Sequence, residues 1–302
     1  MRKALLFLSL FILLSLTMAE ELESNFQRFQ KLTRLQTEAQ QAETAQKFKK
    51  AAKVYKKLSK LTETPSEKAN YQVKAGDCFL EANKTQAASL LYREVMQNYP
   101  LYTPYEHVIE QLRKIAERYV AGEGTFLGLP DKTTAISIYF LIIQESPAIH
   151  VSQNDRARLA ELLILCDRSE EAVNVYQDML KLDASLDDVR LSLAQLLLDL
   201  SKNSDGDGSK IRAALRHARI ILQRNPNYAR KDEVTQILTD GEEKRADRHL
   251  SIAKYYLRKS HYRPEAAKAS LQDLLNAFPT SHAALEAKDL LTTHPAFQKT
   301  SE

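Results

Sequence analysis

One pattern of small, bulky and helix-breaking residues recurs along this chain and constrains its fold more than any other feature. An alanine is followed by apolar residues four and seven positions later, and by proline twelve positions later. Steps of four and three keep these residues on one face of an α-helix, and proline cannot continue a helix. The pattern therefore predicts a repeated helix. Its four complete copies are Ala88-Tyr92-Val95-Pro100, Ala135-Tyr139-Ile142-Pro147, Ala214-Ala218-Ile221-Pro226 and Ala267-Leu271-Leu274-Pro279.

Two shorter copies extend the pattern: Ala172-Tyr176-Met179, with Ala184 in place of proline, and Ala51-Tyr55-Leu58. A small and a large residue also precede Ala88 and Ala172 by twelve and nine positions, as Gly76 with Phe79 and Ala160 with Leu163. This spacing resembles the tetratricopeptide consensus, whose unit is a helix-turn-helix. A generic helical bundle is the alternative that the recurrences disfavour. The residues predicted to pack within the repeats are Gly76, Phe79, Ala88, Tyr92, Ala135, Tyr139, Ala160, Ala172, Tyr176, Ala214, Ala267 and Leu271.

The predicted fold is all-α, a tetratricopeptide-repeat α-solenoid of about five helix-turn-helix units with a C-terminal capping helix near 282–292. Only 7 glycines and 9 prolines in 302 residues leave room for long helices. Insertions are expected at 122–131, 203–208 and 261–264. The predicted domains are a signal peptide at 1–19, a helical segment with a degenerate first repeat at 20–62, the solenoid at 63–296 and a disordered tail at 297–302.

The N-terminus has the features of an export signal. Arg2 and Lys3 precede an apolar stretch from Ala4 to Leu16, which is short for a membrane span. Small residues at Thr17 and Ala19 favour cleavage after Ala19, and an uncleaved signal anchor is the alternative. We therefore expect an exported protein.

No residue pattern points to catalysis, a cofactor or a metal. The seven histidines are scattered, and a Gly-x-Ser-x-Gly motif is absent from the sequence. The stretch Asn203 to Gly208 imitates the start of a calcium loop, but its twelfth position is Ala214 instead of glutamate. The charge of +4 gives no reason to expect nucleic acid, and no small-molecule substrate is expected. Cys78 and Cys166 are predicted to be buried free thiols, with a disulfide as the alternative.

The C-terminal unit resembles the BamD-type family of outer-membrane-assembly tetratricopeptide proteins. It has Ala253, Tyr255 and Tyr256 on one helix, a short basic turn, and then Phe278-Pro279 before an alanine-rich cap. The segment Ile115 to Tyr119 with its glycine-rich insertion is also similar, so the resemblance covers about residues 45–293. One departure is clear: such proteins carry a lipidated cysteine after the signal, whereas this chain has Glu20 and Glu21.

The resemblance implies protein partners, namely barrel-assembly components, and a location in the periplasm. Association with the inner face of the outer membrane, as a peripheral contact, is implied as well. The sequence-based function is therefore a non-catalytic protein-binding scaffold in β-barrel assembly. The alternatives are a general periplasmic adaptor in a cell-envelope or division complex and, more remotely, an accessory of a peptidoglycan-acting enzyme.

Candidate partner-binding residues come from three places in the sequence. A lysine run from 47 to 60 contains no acidic residue, which fits an acidic partner, an anionic lipid surface or simply a solvated helix face. A clamp for a C-terminal carboxylate is not expected, because Asp77 and Glu161 stand where asparagine would be needed. Tyr255 is expected in the core and Tyr256 at the edge of a groove. The partner-binding candidates are Lys49, Lys53, Lys56, Arg158, Tyr256 and Arg258.

Overall fold

The computed structural model describes residues 2–123, 125–204 and 208–298, with side chains from residue 23 onward apart from 126 and 202–204. Within these ranges the chain is helical and contains no β-strand. The helices are α1 (Arg2–Thr44), α2 (Phe48–Leu61), α3 (Pro65–Glu81), α4 (Thr85–Asn98), α5 (Tyr105–Ala121), α6 (Lys132–Glu145), α7 (Gln153–Leu165), α8 (Ser169–Leu182), α9 (Asp187–Ser204), α10 (Ser209–Arg224), α11 (Lys231–Leu257), α12 (Pro264–Ala277), α13 (His282–Thr293) and α14 (Pro295–Gln298). The predicted all-α class is confirmed.

The chain divides into two compact units, Met1–Leu162 and Leu163–Glu302. In the first unit α1 packs on α2, α3 on α4 and α5 on α6, as successive helix pairs of the tetratricopeptide type. In the second unit α9 packs on α10, α11 packs on α12, and α13 covers α11 and α12. The predicted capping helix is therefore present and ends one residue later than expected. The predicted domain boundaries at 62 and 296 are not tested and stay a prediction.

The small residue of each repeat copy lies at a close helix contact. The alanines at 51, 88, 135, 172, 214 and 267 are all fully buried. Gly76 on α3 is a tight position, since a Cβ there would lie 2.7 Å from Cε1 of the buried Tyr92 ring. The small side chain is thus a packing requirement, because anything larger would separate the two helices. Phe79 is only half-buried, although it packs against the core of the α1–α4 region.

The predicted insertions lie between helices. Between α5 and α6 the chain turns at Gly122, whose φ of 81° is readily adopted by glycine. The second insertion is shorter than predicted, because α9 continues through Asn203 and Ser204, while 205–207 lie outside the described residues. The calcium-like positions Asp205 and Asp207 fall in that gap. Between α11 and α12 a short 3-10 turn covers Lys259–His261.

The two chain ends differ from the sequence prediction in detail. Helix α1 runs continuously through the predicted signal segment, whose side chains are outside the described residues, so signal cleavage stays a prediction. No helix among the described residues is both long and apolar enough to span a bilayer. At the other end α14 includes 297 and 298 of the predicted disordered tail, because Phe297 packs against the core of α11–α13.

Both cysteines are free, as predicted, but their environments differ. Cys78 is buried in the first unit, and burial raises the pKa of its thiol to about 12. Cys166, in the second unit, is half-buried and so more exposed than expected. We infer that Cys78 is a packing residue and is inert as a nucleophile at neutral pH.

Replacing Ser281 with alanine should cost about 1 kcal/mol of unfolding free energy, because it removes the N-cap of α13. The buried Ser281 hydroxyl accepts a hydrogen bond from the Ala284 N–H at 3.1 Å. Urea unfolding followed by circular dichroism would measure the change. The adjacent Thr280 is exposed, so Thr280→Ala is the matched control and should leave the midpoint unchanged. Equal shifts for the two variants would contradict the capping role.

Candidate protein-interaction site

In the first unit, the tyrosine of each second helix donates its hydroxyl to a carboxylate on the preceding helix. Burial raises the pKa of all three phenols, so each stays protonated and remains a donor at neutral pH. The sequence pattern located these tyrosines as packing residues but not their acceptors. The pairs are Tyr55 with Glu43 at 2.8 Å, Tyr92 with Asp77 at 2.6 Å and Tyr139 with Glu117 at 2.8 Å.

The third of these pairs lies at a depression of the first unit that faces solvent. Helices α5, α6 and α7 enclose a volume of about 620 Å³ there. Charged and small polar side chains dominate its lining, which is a surface suited to a polypeptide rather than to an apolar ligand. The lining residues are Arg113, Glu117, Tyr139, Ser152, Asn154, Asp155, Ala157, Arg158 and Glu161.

Arg113 is fixed at one side of this depression by Asp155. Its Nε and Nη2 donate to the two carboxylate oxygens, each at 2.7 Å, and Asp155 is only 3% exposed. Ser152 completes the arrangement as a capping box at the start of α7, donating its N–H at 2.8 Å to Asp155 and accepting the Asp155 N–H at 3.1 Å. Burial alone would raise the pKa of Asp155, but the hydrogen bonds from Arg113 and Ser152 outweigh it and lower that pKa.

Arg158 is fixed at the other side by two glutamates. Its Nε and Nη2 donate to Glu117 at 3.0 and 2.8 Å, and its Nη1 donates to Glu161 at 3.0 Å. The hydrogen bond from Arg158 lowers the pKa of Glu117 despite partial burial. Arg158 is therefore already paired within the protein. Arg113 and Arg158 each use two or more of their N–H donors in these internal pairs.

In the preceding repeat, the residue at the equivalent position, Asp77, is also paired with side chains of the protein itself. Asp77 accepts the Tyr92 hydroxyl and lies 2.8 Å from the His107 Nε2 of α5. Lys74 sits over the Tyr55 ring, with its Nζ 5.8 Å from the ring centroid. Asp77 and Glu161 are thus both paired within the protein, and the expectation that a carboxylate clamp is absent stays a prediction.

The predicted partner-binding residues fall into three separate places. Arg158 lines the depression, whereas Lys49, Lys53 and Lys56 lie on the exposed side of α2, in the same unit. Arg258 is exposed at the end of α11 in the second unit. None of these placements tests a binding role, so the assignments stay predictions.

The expected orientation of the two tyrosines at the end of α11 was wrong. Tyr256 packs half-buried against the core around Ala253, whereas Tyr255 is 41% exposed and contacts the His261 ring at 4.2 Å. The reason is helical phase: Ala253 is fully buried, and a step of three returns Tyr256 to that face, while Tyr255 points away. Tyr255 is therefore the more accessible aromatic residue.

The residues that the structure describes contain no cluster of three histidine, cysteine or acidic side chains placed to hold a metal ion.

Comparison with known proteins gives a family match that falls on the second unit. Residues 169–299 match the model of YfiO, described as an outer membrane lipoprotein family. The match begins at α8 and is narrower than the expected 45–293, so it leaves the first unit outside. No curated protein matches the chain.

Several solved tetratricopeptide structures align with the chain at low similarity. YrrB, a TPR protein with an unusual peptide-binding site, is 14% identical with a TM-score of 0.32, covering 74% of this chain and 92% of its own. The TPR2AB domain of yeast Sti1 in a pHSP90 complex is 14% identical with a TM-score of 0.27, covering 86% and 96%. Scores this low support no inference about a site. The second unit of this all-helical repeat protein is thus similar to the YfiO family of outer membrane lipoproteins.

Proposed function

We propose that this protein is a non-catalytic periplasmic scaffold that binds other proteins during the assembly of outer-membrane β-barrels. The similarity of residues 169–299 to the YfiO family carries the proposal. The helix pairs within each unit support it, because packed helical repeats present side chains from successive helices on a shared surface. The export-like N-terminus supports the periplasmic location, and the similarity to an outer membrane lipoprotein family supports a peripheral position at the inner face of the outer membrane.

A general adaptor in a cell-envelope or division complex is the second candidate. One observation favours it: the first unit, with its charged depression, lies outside the family match. A first unit with its own partners would suit an adaptor that joins two systems. The two candidates make different predictions about which proteins accompany the chain.

Affinity capture of the full chain from detergent-solubilised envelopes should recover barrel-assembly proteins. The contact should depend on the second unit, since that unit carries the family similarity. A variant with Tyr255→Ala and Leu285→Ala removes two exposed apolar side chains of that unit and should reduce the recovery. A matched variant with Asn154→Ala and Glu161→Ala alters the depression of the first unit and should retain it. Recovery of division proteins alone would favour the adaptor, and recovery of neither group would contradict the proposal.

A further inference from the structure

Helix α2 presents a straight row of four lysines to solvent. Lys49, Lys53, Lys56 and Lys60 follow steps of four, three and four, so they lie on one face, and all four are exposed. At a rise of about 1.5 Å per residue the row is roughly 16 Å long. Near its end, Lys60 lines a shallow depression together with Lys31 of α1, which extends the positive surface.

In the described part of the chain the lysine row forms no ion pair with a carboxylate, although Glu81 lines the same shallow depression as Lys49. Among the described residues, none of the four lysines has an acidic side chain within ion-pair distance, and only the neighbouring Lys50 does, with Glu38 at 2.8 Å. The contrast with later helices of the same unit is clear, since Arg113, Lys114 and Arg158 all pair with carboxylates. Four unpaired like charges on one face repel one another and gain energy when an anionic surface covers them.

The apolar side of α2 is already occupied. Ala51, Tyr55 and Leu58 are buried in the core formed with α1 and α3. A helix that lies on a membrane needs an exposed apolar face to insert beneath the headgroups, and α2 has none left. The lysine row therefore attracts its ligand by charge alone and lacks the apolar insertion that strengthens membrane binding, so the bilayer is the alternative that the vesicle measurement below tests.

The spacing also selects the shape of the ligand. Carboxylates at i, i+4, i+7 and i+11 of a second helix repeat the axial steps of the lysine row, so all four can pair at once. Alternate residues of an extended chain advance by about 6.6 Å, and four of them drift out of register over the same length. A facing helix is thus the better match.

We propose that the lysine row of α2 is a docking surface for an acidic helix of a partner protein that carries one carboxylate per turn. This inference concerns the first unit and stands independently of the assignment to outer-membrane assembly. Each exposed pair contributes little alone, so recognition depends on the four pairs forming together and should weaken steeply with salt.

Two synthetic helical peptides of identical composition would test the proposal against the full-length protein. In the first, glutamates occupy i, i+4, i+7 and i+11 on one face; in the second, the same glutamates are distributed around the helix. Fluorescence anisotropy should show the first peptide binding at least about tenfold more tightly than the second at low salt. Vesicles of phosphatidylglycerol and phosphatidylethanolamine form the membrane arm, where weak or no binding is expected.

Charge reversal supplies the matched variants. K49E/K53E/K56E/K60E should lose at least about tenfold of the affinity for the first peptide. Reversing four lysines scattered elsewhere (Lys84, Lys231, Lys259 and Lys288, all exposed) changes the net charge equally and should keep most of the binding. Circular dichroism and thermal melts verify that both variants are folded, and glutamine replacements serve if the reversal unfolds the chain. Equal binding of the two peptides, retention by the α2 variant, or binding to vesicles but not to peptide would each overturn the proposal.

Discussion

Substitution of Asp155 by alanine should lower the free energy of unfolding by about 3 kcal/mol, because Arg113 and Ser152 lose the buried carboxylate that accepts their hydrogen bonds. Asp155 receives two hydrogen bonds from Arg113 at 2.7 Å and closes the capping box with Ser152. The alanine variant would lose the carboxylate that accepts the Ser152 N–H at the start of α7 and leave the Arg113 guanidinium without its partner, while the N–H of residue 155 could still bond to the Ser152 hydroxyl. Urea unfolding at neutral pH, followed by circular dichroism, would measure the difference.

Two comparisons separate this role from a general effect of mutation. Asp155→Asn keeps an acceptor for Ser152 and should cost less than alanine. Glu161→Ala, at a more exposed position of the same depression, should change the stability by less than about 1 kcal/mol. If Asp155→Ala and Glu161→Ala destabilise the protein equally, the buried pair is not the determinant.

The same pair should give the first unit an acid-sensitive stability. The pKa of Asp155 is lower in the folded protein than its ordinary value of about 3.9, so the folded protein binds fewer protons at this site than the unfolded chain does. The stabilisation is therefore present above that ordinary value and is lost as the pH falls below it, through the folded-state pKa. The Asp155→Asn variant should lose this part of the acid dependence.

Replacement of Gly76 by valine should be comparably destabilising, by roughly 3 kcal/mol, through overpacking. A Cβ at this position would lie 2.7 and 3.0 Å from two carbons of the Tyr92 ring. That ring is fully buried and is held by its hydrogen bond to Asp77, so it has little freedom to move away. Thermal melting should show a clear fall of the midpoint relative to the unaltered chain.

Asn70→Val is the control, since it places the same β-branched residue at an exposed position of the same helix. It should leave the midpoint nearly unchanged. Combining Gly76→Val with Tyr92→Leu should cost less than the sum of the two single changes, because the smaller side chain relieves the contact. Strict additivity would show that the clash with Tyr92 is not the cause.

The sequence was sufficient for the helical repeats because their physical requirements are local. A small residue at the contact and a proline after the last turn recur at fixed spacing, and the six alanines predicted at such contacts are all buried. The capping helix was also predicted, because the last repeat of a solenoid needs a cover on its exposed face; the structure adds that Ser281 is the N-cap of this helix.

The polar interior of the site was not predictable, because its partners have no fixed separation. The carboxylates that accept the tyrosine hydroxyls stand 12, 15 and 22 positions before them. Arg158 pairs with Glu117 across 41 positions, so the sequence left it as a free partner-binding candidate. The orientation of Tyr255 depends on the phase of a 27-residue helix, which adjacent tyrosines do not reveal.

The proposed role in the assembly of outer-membrane β-barrels can be tested by depleting this protein in the organism that makes it. The chain would be placed under a repressible promoter, and folded β-barrel proteins in the outer membrane would be quantified together with periplasmic proteins as an internal control. We expect β-barrel levels to fall as the protein is depleted while the periplasmic controls stay constant, and the unaltered chain to restore them. Unchanged β-barrel levels after complete depletion would contradict the proposed role.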